Sequence, residues 1–518
     1  MSYAIGVGVH AWAVRAGWLF PGSNLAIAYA VSGVPIILVA ACYTLLAIAM
    51  PRSGGSYIFI SRIISPTWGF LASWVSWTLG GFLCLGLIAY YDGYFWGLAL
   101  FTVGTAFKMN GLVNAGLWLM RPFSAFLVGA LLLVICFILN CFRVGIVVRV
   151  VQALWIIPVI ASGLMIGTLA MNWGLAAAKP EVFKAKWDAV MGQGSYDEVM
   201  NIALAHGFDV EKYTKLNWQS TWAAAAFASA AAYGSPATPT TAVAGEVKIP
   251  TKTQLIGTLV GVVLIAAYYI TISGVVYAAC DPFVRAYTFN YFEGYSKEYT
   301  ITPNAYPTIQ LFAGILSGNP GLAIYYSIAI AVWLWNDLPP WWLYLTRFVF
   351  SWAFDRSFPS VFAQVHPTLR SPINANVLIL ILGLISCAMF MGWWLYGIFV
   401  FLDQITVVGM LFPDFLVGLS TAHFPLSKPE IFKASPVSAW TIGGIPIAYI
   451  IGILGFGSAF PLLILAFSLL APGGALTVDL VFTTVVMAIG IIIATVMHNK
   501  AYSKGIPVHE IYSTLPPA

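Results

Sequence analysis

The sequence predicts an all-α polytopic membrane protein of about 12 transmembrane helices, built as a five-plus-five inverted repeat followed by two extra helices. Three observations predict it. Of 518 residues, 60% are hydrophobic and 8% charged, where ordinary soluble domains carry roughly 25% charge. Mean hydropathy is +0.89, and a soluble core of that size would lack the polar surface to cover it. Apolar runs of spanning length recur along the chain, each needing about 20 residues. Finally, the first and sixth runs are interrupted by glycine or proline, in corresponding positions of two five-helix halves, which is the pattern of an inverted repeat.

The runs cover residues 3–20, 24–50, 67–103, 121–141, 146–172, 217–246, 253–280, 320–354, 373–394, 397–420, 438–458 and 475–497, with 459–470 also apolar, so that the eleventh can slide or lengthen. The corresponding division is a first repeat over 1–172, an excursion over 173–216, a second repeat over 217–420, helices 11 and 12 over 421–497, and a tail over 498–518. Short loops and helix ends on one side hold Arg52, Arg62, Arg143, Arg149, Lys248, Lys252, Arg347, Arg356 and Arg370 with few acids. Lys and Arg in short loops mark the cytoplasmic side, so both termini are expected there. The long excursions 173–216 and 281–305 then face outside as a cap or gate. Nothing basic precedes the first apolar run, so no secretory signal is expected.

The sixth run is the most informative. Residues 222–250 read WAAAAFASAAAYGSPATPTTAVAGEVKIP. Pro236 and Pro239 lack a backbone N–H, so several carbonyls lose their helical partners. In a lipid core such groups are tolerated where they line a protein-enclosed or wet cavity. The alternative is a kinked helix with no ligand.

Other chemistries are poorly represented. The six cysteines (Cys42, Cys84, Cys136, Cys141, Cys280 and Cys387) are scattered without metal spacing and are expected to act as small hydrophobes. The six histidines provide no bis-histidine haem pair, and no GxSxG, HExxH or His/Asp/Glu cluster occurs. No cofactor, metal, enzymatic activity or nucleic-acid partner is expected. A channel would need a repeated filter or charged rings, and none is evident.

Three stretches carry a family likeness. They are Pro51-Arg52-Ser53-Gly54-Gly55-Ser56-Tyr57-Ile58, with Ser61-Arg62 following; Gly245-Glu246-Val247-Lys248-Ile249-Pro250; and Asp355-Arg356-Ser357-Phe358-Pro359, with Arg370-Ser371-Pro372-Ile373-Asn374-Ala375. Their order and spacing resemble permeases of the amino acid–polyamine–organocation superfamily. The resemblance implies a LeuT-type fold and secondary active transport of amino acids or related amines across the cell membrane. It also implies alternating access, with helices 1, 2, 6 and 7 rocking against the rest. The chain departs from the family in having Gly6-Val7-Gly8-Val9 in the first helix and no lysine around Trp155–Val159 in the fifth. The coupling ion is therefore open between H⁺ and Na⁺. A receptor on a transporter scaffold and a carrier of another organic cation are the alternatives.

Half-helix N-termini suit a carboxylate and freed carbonyls suit an ammonium group or a cation. An amino acid presents both groups on one carbon. Expected substrate contacts are Gly6, Val7, Gly8 and Val9 in the first helix, and Tyr233, Gly234, Ser235, Ala237 and Thr238 in the sixth, with Trp222, Phe227 and Tyr233 as aromatic lids. Carboxylates within a membrane are costly and mark function. Asp337, beside Asn336 and ahead of Pro339-Pro340, is the leading candidate for the substrate amine or a coupling ion, with Asp92 and Asp403 as further ion candidates. Its bland alternative is a pair with Arg15. Asp414 and Asp479 are expected near the interface. Arg52, Arg62, Glu246, Lys248, Arg347, Asp355 and Arg356 are read either as gate ion pairs or as orientation charges alone.

Overall fold

The computed structural model describes residues 9–228, 233, 237–396, 402–471, 474–505 and 508–515. Among these, ten helices are long and apolar enough to cross a membrane. In chain order the elements that matter are α1 (Trp12–Leu19), α2 (Leu25–Ala49), α3 (Ser56–Ile63), α4 (Pro66–Ala106), α5 (Asn110–Leu119), α6 (Pro122–Asn140) and α7 (Val144–Met171). The excursion supplies α8 (Pro180–Met191) and α9 (Ser195–Ala205). The second half contains α10 (Trp218–Phe227), α11 (Ala237–Ala242), α12 (Pro250–Cys280), α13 (Phe283–Glu293), α14 (Ile309–Ser317), α15 (Pro320–Phe354), α16 (Ile373–Tyr396) and α17 (Leu402–Ser427). The chain continues with α18 (Ile447–Leu470), α19 (Val478–Ser503) and α20 (Val508–Ser513).

Among the described residues, the first and sixth expected spans contribute the short helices α1, α10 and α11, and the ten long helices account for the other ten expected spans. The eleventh span moves. Residues 441–446 form a two-stranded hairpin pairing Thr441 with Pro446 and Ile442 with Ile445 around Gly443-Gly444. Both glycines have positive φ, 57° and 81°, as a two-residue hairpin turn demands. The apolar stretch 459–470 then completes α18. The tenth helix likewise runs on to Ser427 rather than residue 420.

Close helix approach in a membrane relies on small residues. At the crossing of α4 and α17, a Cβ on Gly409 would fall 2.0 Å from the Gly80 nitrogen. The loop before α3 is shaped by Gly54, whose φ is +111° and whose added Cβ would meet the Ser351 hydroxyl at 2.4 Å. That glycine donates its N–H to the Ala242 carbonyl at 3.0 Å. The Gly-Gly signature therefore ties the end of the broken sixth helix to α15.

The two long excursions interlock as one cap. Trp187 of α8 packs edge-on against Phe283 of α13 at 4.5 Å, and His206 stacks on Tyr295 at 3.9 Å. Asn290 donates to the Val199 carbonyl at 2.9 Å. Glu198 binds the backbone and hydroxyls of Thr300 and Thr302 at 2.6–2.7 Å. Partial burial opposes ionisation of Glu198, but these four donors outweigh it and bring its pKa from 4.5 to about 2. A depressed folded-state pKa stabilises the cap above the unfolded value and is lost as pH falls through the folded one. Hydrogen-exchange protection of residues 299–302, taken relative to the intrinsic rate at each pH, should therefore be flat above about pH 5 and fall between about pH 4.5 and 2, and Glu198→Gln should remove that dependence.

Candidate functional site

Beside the Gly-Pro stretch of the sixth span, Tyr233 sits against buried aromatic side chains. Tyr233 is buried, donates its hydroxyl to the Tyr29 carbonyl at 2.9 Å, and packs on Tyr269 with centroids 4.9 Å apart. Tyr269 meets Tyr29 edge-on at 5.4 Å and lies beside Tyr268, which packs on Trp333 at 6.1 Å. These rings gather α2, α12 and α15 beside Tyr233. Tyr269 also lies within the electrostatic reach of Asp337, as does Cys84 of α4.

Asp337 and Asn336 are buried midway along α15. The helix runs unbroken through Pro339 and Pro340, and neither proline can donate to the carbonyl four residues earlier. The Trp335 and Asn336 carbonyls are thus released from the helical ladder beside the Asp337 carboxylate. Asn336 donates its amide to the Val151 carbonyl of α7 at 3.2 Å. Arg15 turns toward the cap, its guanidinium 5.1 Å from the Trp12 ring centroid and 5.4 Å from that of Phe292.

The remaining expected contacts divide. Gly6, Val7, Gly8, Gly234, Ser235 and the Asp403 side chain lie outside the described residues. Val9, Ala237 and Thr238 are buried. Phe227 is clasped by Trp12 at 5.2 Å and Phe20 at 5.5 Å, so it locks the first half of the sixth helix onto α1. Trp222 was expected in the site and is not there. It is 60% exposed, because Thr221, Ala224, Ala225 and Phe227 form the buried face of α10 and Trp222 falls outside it. Asp92 is buried on α4 with neither carboxylate oxygen hydrogen-bonded, and no contact joins it to the Asp337 cluster among the described residues. Asp414 and Asp479, expected near the interface, are both fully enclosed. Asp414 acts electrostatically on Tyr43, which also faces Thr238.

Sequence reasoning overlooked two arrangements. His10, weighed only as a haem ligand, is buried just before α1, with Nε2 3.0 Å from the Tyr268 hydroxyl. Its signal was an ionisable side chain two residues after Gly8. At the opposite end from the cap, the cluster of charges resolves into specific pairs. Arg62 holds Asp355 with two hydrogen bonds of 2.6 and 3.0 Å, and Arg347 holds Glu246 at 2.5 Å. These pairs tie α3 and the end of the sixth helix to α15, which favours the gate reading over simple orientation charge for these four residues.

The description of the amino acid permease family matches residues 1–496. No curated protein matches the chain. Among solved structures, the fold is similar to that of MhsT in complex with L-phenylalanine, with a TM-score of 0.54 at 14% identity, over 90% of this chain and 96% of that one. That likeness concerns the fold alone, and it agrees with a LeuT-type architecture. With the family description spanning nearly its whole length, this chain belongs to the amino acid permeases of the amino acid–polyamine–organocation superfamily.

Proposed function

We propose that the protein is a secondary active transporter that carries an amino acid or a related amine across the cell membrane by alternating access. The observation that carries this reading is a buried cluster in which Tyr233 of the sixth span packs on Tyr269, within the electrostatic reach of Asp337, while His10 of the first span meets the neighbouring Tyr268. The substrate carboxylate would bind backbone N–H groups at the breaks, from Gly6–Val9 and from Gly234, Ser235, Ala237 and Thr238. Its amine would face Asp337 and the released carbonyls beside it, with Tyr233 as an aromatic wall. The cap would face outside and the Arg62–Asp355 end the cytoplasm, with both termini there, as the short basic loops suggest. Rocking of the bundle would then require the pairs at that end to separate in the inward-open state.

Reconstituted in liposomes, the protein should exchange or accumulate at least one labelled compound from a panel of amino acids and polyamines. Absence of uptake, exchange and binding across the whole panel would overturn the proposal. Thermal-shift measurements on the same panel provide the binding arm, because a ligand of the folded state raises its apparent stability.

A further inference from the structure

Resting on the transporter reading above, we infer that His10 is the protein's proton-binding site, taking up a proton on Nδ1 during transport. The argument begins with the hydrogen bonds of Tyr268. Its hydroxyl donates to the Ser162 hydroxyl of α7 at 3.0 Å. A phenol has one proton to give, so the hydroxyl faces His10 as an acceptor, and Nε2 of His10 carries the hydrogen. Nδ1 then holds the lone pair of the neutral ring. It is buried and makes no hydrogen bond. Taking up H⁺ there forms one N–H bond and leaves the Nε2–H to Tyr268 intact.

A route to that nitrogen exists. The Gln310 side chain of α14 sits beside the ring, without hydrogen-bond geometry, and is itself buried with no hydrogen bond at either amide atom. Gln310 also lines a cavity of about 470 Å³ at the cap end, bordered by Thr102, Ser327, Asn319 and Lys186. One amide thus stands between an open cavity and the imidazole. A simple structural histidine has no need of such an approach.

The groups packed around the ring explain how a proton would be tied to substrate. Tyr268 faces it from α12, Ser162 stands behind Tyr268 on α7, and Trp333 of α15 lies 6.5 Å away with Asp337 one turn further on. On its own segment, Arg15 points to the cap, and Lys186 at the cavity wall is held by the Asn172 side chain and the Leu316 carbonyl. Among the described residues no carboxylate contacts the ring. An enclosed imidazolium needs an anion to offset its lost hydration. A substrate carboxylate bound beside His10 would be that anion. Binding of each then favours the other, by the same factor in both directions.

The test uses proteoliposomes with a pH-sensitive dye inside and an equimolar mixture of the twenty L-amino acids as the probe. The wild type should acidify the lumen as substrate enters, and its uptake should rise several-fold when the outside is made acidic. His10→Gln should lose both responses while counterflow exchange of the labelled mixture persists at a reduced rate. Tyr268→Phe, which keeps the ring but removes the hydroxyl that orients the imidazole, should shift the pH profile of uptake. Uptake without proton movement in the wild type, proton-coupled uptake by His10→Gln, or an unchanged profile in Tyr268→Phe would overturn the inference alone. Failure of the wild type to exchange any amino acid would also overturn this inference, which needs a substrate carboxylate, whereas the transporter reading would fall only if the polyamines of the panel were refused as well.

Discussion

Asp355→Ala is expected to destabilise the folded protein by about 3–5 kcal/mol, the cost of leaving one member of a buried ion pair without its partner. The two side chains are 1% and 2% exposed. Arg62 also donates to the Ser61 hydroxyl at 2.8 Å and lies 4.9 Å from the ring of Tyr512, whose hydroxyl meets those of Tyr57 at 3.1 Å and Ser357 at 2.8 Å. Truncating Asp355 strands the guanidinium inside this shell. Arg347→Ala is the internal control, because the Arg347–Glu246 pair is 11% and 31% exposed and partly screened pairs contribute about 1 kcal/mol or less. Thermal denaturation in detergent, followed by the loss of monodisperse protein, should separate the two variants clearly. Equal melting behaviour for both would show that the Arg62–Asp355 pair does not hold this end of the bundle together.

Asp337→Asn is expected to lower transport by about 100-fold, equivalent to roughly 2.7 kcal/mol at about 1.36 kcal/mol per decade, while melting changes little. Asparagine keeps the volume and planarity of the side chain, removes the charge that would meet a substrate amine and turns one acceptor oxygen into a donor. The position suits that role: Asp337 is buried in α15, follows Asn336, and acts on Tyr269 beside the sixth-helix break. Exchange in liposomes measures the loss, and heating in detergent supplies the control. Transport within about threefold of the wild type would reduce Asp337 to a structural group, since threefold is only about 0.7 kcal/mol.

The sequence was most legible where composition and punctuation act locally. Spanning length and the Gly54-Gly55 loop each impose a backbone consequence wherever the chain goes, and the structure places long apolar helices and tightly turned backbone at those points. It was less legible where one residue's neighbour decides its role. Trp222 and Phe227 stand half a helix apart and look equally suited to cover a substrate, yet only Phe227 meets α1. His10 and Tyr268 are separated by 258 positions and form one hydrogen-bonded pair.

The sequence by itself thus determined that the chain is a multi-pass helical membrane protein, that its first and sixth apolar runs carry glycine or proline, and where its basic residues lie along the chain. Those properties follow from hydropathy, missing backbone donors and charge counts, which need no knowledge of partners. Only the tertiary structure decided which acids are enclosed, which charges pair and which aromatic rings surround the break. Those depend on helices far apart in the chain meeting face to face, and the strength of a charge or hydrogen bond depends on the burial that this meeting creates.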